Sequence, residues 1–202
     1  RPLRLLFGSC RAAAPHEPPY ALELDHDRNA RGVDALRAHG LRMLREPVET
    51  WPDLIVLLGD QVYADDTSPG ASERIERRRR SRRADDRHPP DDIVADFEEY
   101  TWLYHEAWTP DVERWMLSTV PSTMIFDDHD MIDDWNISES WVRDTRAKPW
   151  WSEHVIGGLV SYWVYQHLGN LSPEEIRKEG MLDELLALGD GTDFLRSWAL
   201  ES

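Results

Sequence analysis

Leu54-Ile55-Val56-Leu57-Leu58-Gly59-Asp60-Gln61-Val62-Tyr63 is the stretch that decides the fold. Five aliphatic residues run without a polar interruption, and the chain then breaks at a glycine and turns polar. A strand with one wet face alternates apolar with polar residues, so an unbroken short run ended by a turn signal reads as a buried strand of a covered parallel sheet. Working outward, two further runs have the same form. Leu3 to Phe7 leads into Gly8-Ser9-Cys10-Arg11, and Thr123 to Phe126 leads into Asp127-Asp128-His129-Asp130. In an open α/β sheet ligands bind beyond the carboxyl ends of the strands, so three polar strand ends are expected to converge on one crevice.

Parallel strands need crossover connections. Gly32 to Glu46 supplies the first, with Val33, Leu36, Leu41, Met43 and Leu44 at amphipathic helical spacing. Beyond the second strand, seven arginines fall between Arg74 and Arg83, with Ser-Pro-Gly before them and Arg-His-Pro-Pro after, so residues 68–92 are expected to form an exposed loop or lid. Ile93 to Trp108 reads as an amphipathic helix rich in aromatic residues. Thr109-Pro110-Asp111 reads as an N-cap with proline in the first turn of a short helix through Trp115 and Leu117. Residues 150–202 are expected to be mostly helical, with one helix from about Glu153 to Leu168 and another opened by Ser172-Pro173-Glu174-Glu175.

The chain has 202 residues and a formal charge of −16, from 23 Lys and Arg against 39 Asp and Glu. Such a surface repels a phosphate backbone, which argues against a duplex nucleic-acid partner. Without the seven arginines and one glutamate of residues 74–83, 16 basic residues face 38 acidic ones. The run is therefore better read as a solvated face than as a nucleic-acid contact. No apolar stretch approaches the roughly 20 residues of a membrane span, and the apolar part of the N-terminus is too short for a signal peptide. A cytoplasmic location is expected, or export with the leader already removed. A single cysteine, Cys10, leaves no intrachain disulfide.

The chemistry sits at the strand ends. Asp60 and Tyr63 are spaced as Asp-x-x-Tyr, and such a carboxylate and phenol suit hard cations, although a capping aspartate and a packed tyrosine would give the same spacing. Asp127, Asp128, Asp130, Asp133 and Asp134 place five carboxylates around His129 within eight residues. The segment reads either as a solvated acidic turn or, since the apolar strand before it and Met131, Ile132 and Trp135 after it argue for partial burial, as carboxylates that would repel one another without a cation. Cys10 is either a small core residue, a metal ligand or a nucleophile with His129 as base, and the adjacent Arg11 is expected to lower its pKa. Most of the ten tryptophans read as packing, while Trp135 and Trp141, near the acidic cluster, also suit a stacking platform.

Phe-Gly-Ser-Cys-Arg at 7–11, Asp-Leu-Ile-Val-Leu-Leu-Gly-Asp-Gln-Val-Tyr-Ala-Asp at 53–65, and Ile-Phe-Asp-Asp-His-Asp-Met-Ile-Asp-Asp-Trp-Asn at 125–136 together resemble the PhoD-like branch of the metallophosphatases, the alkaline phosphatase D family. Gly-Gly-Leu-Val-Ser-Tyr-Trp-Val-Tyr-Gln-His-Leu-Gly-Asn at 157–170 fits the same branch. The resemblance implies an αββα metallophosphatase scaffold and hydrolysis of phosphate mono- or diesters. It implies metal ions, iron with calcium, held by Cys10, Asp60, Tyr63 and Asp128, with Asp60 as the bridging carboxylate. A metal-bound hydroxide would attack phosphorus, His129 would contact the phosphate and protonate the leaving group, and Arg11 would help hold the phosphate.

The sequence departs from that family in one respect. Further histidine-bearing metal motifs on a second set of strands are not found, since His154 and His167 both fall on expected helices. Only the first half of the sheet is apparent, and the reading expects a catalytic domain that is truncated in these 202 residues. A competing reading is therefore a catalytically incomplete remnant that serves as an interaction module or homo-oligomer.

Overall fold

The computed structural model describes residues 2–81 and 88–201. The fold is mixed α/β. Strands β1 (Leu5–Gly8), β2 (Leu54–Leu57) and β3 (Ser122–Met124) form a parallel sheet in the order β1-β2-β3. Leu6 pairs with Ile55 and Val56 with Thr123. All three sequence-expected strands are present, each within a residue or two of its expected bounds.

Helix α1 (Ala35–Met43) is the first crossover, capped by the Asp34 side chain on the Arg37 amide. After β2 come α2 (Pro69–Ser81), α3 (Phe97–Trp108) and α4 (Asp111–Thr119). Then β3 leads through a 3-10 turn at Asp128–Asp130 into α5 (Glu139–Arg146) and α6 (Trp151–Tyr162). A π-helical turn, Trp163–His167, joins α6 to the short α7 (Leu168–Asn170). Three helices follow: α8 (Pro173–Glu179), with the Ser172 capping box and Pro173 in its first turn, α9 (Met181–Ala187) and α10 (Thr192–Glu201).

One face of the sheet is covered. Ile55 and Leu57 pack with Met43 of α1 and with Met116 and Val120 at α4, and Leu6, Leu36 and Met124 border that cluster. The opposite face is bare: Leu5, Phe7, Leu58 and Ile125 are 52%, 69%, 46% and 54% exposed. This corrects the expectation of a sheet covered on both sides. An apolar run states that its side chains favour burial, and it carries no information about whether the same chain buries them. A second apolar cluster joins Val62 and Ala64 to Ile75 of α2 and to Tyr100, Leu103 and Tyr104 of α3. It fixes the segment that follows β2.

The arginine run is a second correction. As far as Ser81 it is helix α2, not a loop; Arg82 and Arg83 lie outside the described residues. Arginine is a good helix former, and Glu73–Arg77 and Glu76–Arg80 pair at i,i+4 along the exposed side. The inward side is neutralised by α3. Arg78 and Arg79 each reach the fully buried Glu99 at 2.8 Å, and Arg78 also binds Asp96 at 2.7 Å. A third correction concerns Thr109, whose hydroxyl donates to the His105 carbonyl at 2.6 Å and so closes α3 without capping α4. Helix α3 itself starts at Phe97, four residues later than expected, because Asp96 caps it through the Glu99 amide.

The edge of β3 is occupied by a side chain in place of a fourth strand. Asn170 accepts from the Met124 amide at 2.8 Å and donates to the Met124 carbonyl at 2.7 Å, so one amide satisfies both backbone groups. The Thr123 hydroxyl adds a bond to the same Asn170 oxygen at 2.9 Å. The strand that carries the acidic turn is thereby tied to the α6–α7 rod.

Candidate metal centre

The turns after β1, β2 and β3 meet, as the three polar strand ends require. The Cys10 amide donates to the Gly59 carbonyl and the Arg11 amide to the Asp60 carbonyl, both at 3.3 Å, and the Ala64 amide donates to the His129 carbonyl at 2.8 Å. Both Cys10 (φ 57°) and Asp60 (φ 51°) are left-handed, a conformation that L side chains rarely adopt. Preceding Asp60, Gly59 has φ 110°, and a Cβ there would lie 2.3 Å from the Asp127 Cβ. The glycine lets the turns after β2 and β3 approach closely enough for their side chains to share one site.

Asp60, Asp128 and His129 form that site: each offers a ligand atom, and these atoms all lie within 4.8 Å of one another. Asp60 is 3% exposed and also accepts from the His129 amide at 3.2 Å. Burial raises its pKa; the Cys10 thiol and His129 oppose the shift, and Asp127 and Asp128 add to it. Asp128 accepts from the Asp134 amide at 3.0 Å. The Cys10 thiol lies beside both Asp60 and the Ser9 hydroxyl, 3.2 Å away. Its hydrogen bond to Ser9 lowers its pKa, but Asp60, burial and Asp127 raise it further, and the net shift is upward. This corrects the expectation of an arginine-activated thiolate. Arg11 faces the other way: its guanidinium binds Asp34 at 2.8 Å, the Ala107 carbonyl at 2.8 Å and the buried Glu113 at 3.4 Å.

The Tyr63 ring lies against the His129 ring, with centroids 4.4 Å apart. Burial, followed by the charges of Asp60, Cys10, Asp65 and Asp128, pushes its phenol up to about 12. Those charges mark Tyr63 as a neighbour of the same cluster. A bound cation would act against all of these effects, favouring the deprotonated carboxylates, thiol and phenol. The Cys10 sulfur is not among the ligand atoms that lie within 4.8 Å of one another, but carboxylates and an imidazole with a phenol and a thiol beside them suit hard or trivalent cations, and the unbalanced carboxylate charge is the structural reason to expect one.

The sequence marks Asp130 only as one carboxylate of the acidic cluster, and the supporting roles of Asp65, Asp130 and Gln166 appear only in the structure. Asp65 holds His129 Nδ1 at 2.9 Å, and this bond, with Asp60 and Asp133, lifts the imidazole pKa against the lowering effect of burial. Asp130, 2% exposed, accepts from the amides of Gln61, Val62 and Asp127. Burial pushes its carboxyl up to about 7, against those three backbone bonds. Gln166 reaches the same carboxylate from the π-helical turn at 3.1 Å. Asp65 and Asp130 lie inside the quoted motifs, but nothing in their spacing separates them from ligands. A lone amide directly after the aromatic-rich run Tyr162–Tyr165 was the available signal for Gln166.

Two clefts flank the centre. One, of about 310 Å³, runs from Leu6, Phe7, Leu36 and Leu57 to Cys10 and Gln61. The other, of about 320 Å³, is bounded by Asp127, Asp128 and Asp134 on one side and by Phe126, Trp135 and Ile137 on the other. Trp135 is anchored there by stacking on Trp151, with centroids 5.4 Å apart.

Carboxylates and an imidazole gathered at the carboxyl ends of parallel strands define a candidate metallohydrolase centre on an α/β scaffold. The chain belongs to the PhoD-like phosphatases: the model of that family matches residues 34–165, which include Asp60, Tyr63, Asp65, Asp128, His129 and Asp130. The family is metal-dependent, and its class of activity is phosphoester hydrolysis. Cys10, Arg11 and Gln166 lie outside the matched residues. No curated protein and no solved structure matches the chain. No helix among the described residues is long and apolar enough to cross a membrane.

Proposed function

We propose that this chain hydrolyses phosphate mono- or diesters at the centre where Asp60, Asp128 and His129 meet, with Asp60, Asp128, Cys10 and Tyr63 as the metal ligands, His129 as the proton donor, and iron with calcium as the cations. The observation that carries the reading is the convergence of Asp60 and Asp128–His129 from two different strand ends. Bound cations would polarise the phosphoryl oxygens and neutralise charge on the ester. Asp65 accepts the Nδ1 proton of His129 and so fixes the ring's orientation and tautomer. Nε2 is then the atom that holds a proton for the leaving-group oxygen. Arg11 has no part in this proposal, since Asp34 and Glu113 occupy its guanidinium. The αββα layering belongs to the same reading, supported by the bare sheet face, against which that layering packs a second sheet.

The test is metal analysis combined with hydrolysis of a chromogenic phosphomonoester and a chromogenic phosphodiester. Bound metal and turnover that Asp60→Asn reduces by at least 100-fold are expected. Absence of bound metal together with no turnover when iron and calcium are supplied sinks the proposal. The bare face, with Leu5, Phe7 and Ile125 exposed, favours a second reading, in which the chain is an interaction module. That reading expects a stable complex or oligomer that is indifferent to Asp60→Asn.

A further inference from the structure

Asp130 and Gln166 lie behind the centre and contribute no ligand to it, yet they are among the most buried polar side chains, at 2% and 1% exposure. We infer that they are positioning residues, a polar strut that sets the spacing between the Asp60 turn and the Asp128–His129 turn. The inference rests on the functional reading above.

Each end of the strut has a defined attachment. Asp130 Oδ1 accepts from the amides of Gln61 and Val62, at 3.1 and 3.3 Å, which are the two residues after Asp60. Its Oδ2 accepts from the amide of Asp127, the residue before Asp128, at 3.1 Å. One carboxylate therefore spans the two turns that carry the ligands. Gln166 holds that carboxylate from behind: Nε2 donates to Asp130 Oδ1 at 3.1 Å and to the Tyr104 hydroxyl at 2.9 Å. Both groups that accept from Gln166 are themselves buried, so the amide has little freedom to rotate.

The backbone is adapted to this contact. Gln166 sits in the π-helical turn Trp163–His167, and such a turn departs from regular helical geometry and re-aims the side chains it carries, a device that recurs at functional sites. Gln166 Oε1 is buried without a partner. An unpaired buried amide oxygen is unfavourable, and an apolar side chain of equal volume avoids it. Set against that cost are the two donor bonds, to the Asp130 carboxylate and the Tyr104 hydroxyl, which an apolar side chain cannot make.

The test reads metal affinity, for which Mn²⁺ alone is the probe. Titration calorimetry on the full chain is carried out for wild type, Asp60→Asn, Asp130→Asn and the volume-conserving Gln166→Met, with thermal melting of each. Partners that orient ligands from behind are worth 10- to 100-fold in metal affinity, so Gln166→Met and Asp130→Asn are expected to weaken Mn²⁺ binding by about that factor while remaining folded. Asp60→Asn is expected to abolish it. A folded Gln166→Met with wild-type affinity overturns the inference. If Gln166→Met does not fold, Tyr104→Phe removes only the hydroxyl that holds the amide, and it must still weaken Mn²⁺ binding severalfold; unchanged affinity then overturns the inference. A wild type that takes up no Mn²⁺ overturns the strut, whereas the functional reading falls only if metal analysis and turnover with iron and calcium fail as well.

Discussion

At the residue scale, the residues that meet at the centre were legible and their supports were not. Asp60, Asp128 and His129 each follow an apolar run within a few residues, so the sequence displays both the strand and its polar end. Asp65, Asp130 and Gln166 act across 64, 69 and 36 residues of chain, and no local pattern marks a bond of that span. Cys10 shows the opposite failure: adjacency to Arg11 suggested a thiolate, but Arg11 turns to Asp34 and leaves the thiol among carboxylates. Gly59 is the residue on which the approach of the two turns depends. Gly59→Ala meets both a positive φ and the Asp127 side chain and is expected to lower stability by about 3 kcal/mol in urea unfolding. Gly8→Ala, with no atom near its new Cβ, is expected to change stability by under about 1 kcal/mol, and equal effects at the two positions would contradict the close approach. His154, fully buried with Nδ1 on the Val94 carbonyl at 2.7 Å, has its pKa lowered to about 4 by burial. Between its unfolded value of about 6.5 and 4 the unfolded chain binds the proton and the folded chain does not, so acid removes up to about 3 kcal/mol of stability through this group. Asp130, raised to about 7, acts in the opposite direction, since its contribution is lost as pH rises from about 4 to 7. The readout is therefore the difference between wild type and His154→Gln, whose stability gap is expected to narrow as pH falls from 6.5 to 4. Parallel profiles would contradict a neutral buried His154.

At the scale of elements, strand positions followed from apolar runs, and the start of α8 followed from its Ser172 cap, whereas the caps Asp34 and Asp96, which set the starts of α1 and α3, were not read in advance. The arginine run failed because charge density was taken as a loop signal, while its neutralising partners, Asp96 and Glu99, lie on another helix. Helices α2 and α3 are joined through Glu99, which is fully buried and accepts from Arg78, Arg79 and the Ala95 amide. Removing one partner leaves buried charge unpaired. Glu99→Gln is expected to destabilise the chain by about 3–5 kcal/mol in urea unfolding. Arg77→Ala, which breaks only the exposed pair with Glu73, is expected to change stability by under about 1 kcal/mol. Similar losses for the two variants would show that the α2–α3 joint does not depend on its buried charges.

At the scale of the whole molecule, the α/β class and the meeting of strand ends could be read in advance, but the bare sheet face could not. Leu5, Phe7 and Ile125 look the same in sequence whether or not the chain covers them. The net charge of −16 also acquires a location. Part of it is the cluster of Asp60 and Asp127–Asp134, whose mutual repulsion calls for a cation, and membership in the PhoD-like phosphatases supplies a chemistry for that cation to perform. The most direct measurement is a crystal structure of the chain grown with Mn²⁺ and phosphate, with the metal located by its anomalous scattering. The account predicts a peak within ligand distance of the Asp60 and Asp128 carboxylates, with phosphate beside it and within reach of His129. A map with no peak there, or with metal only at a surface cluster such as Glu23, Asp25 and His26, would contradict it.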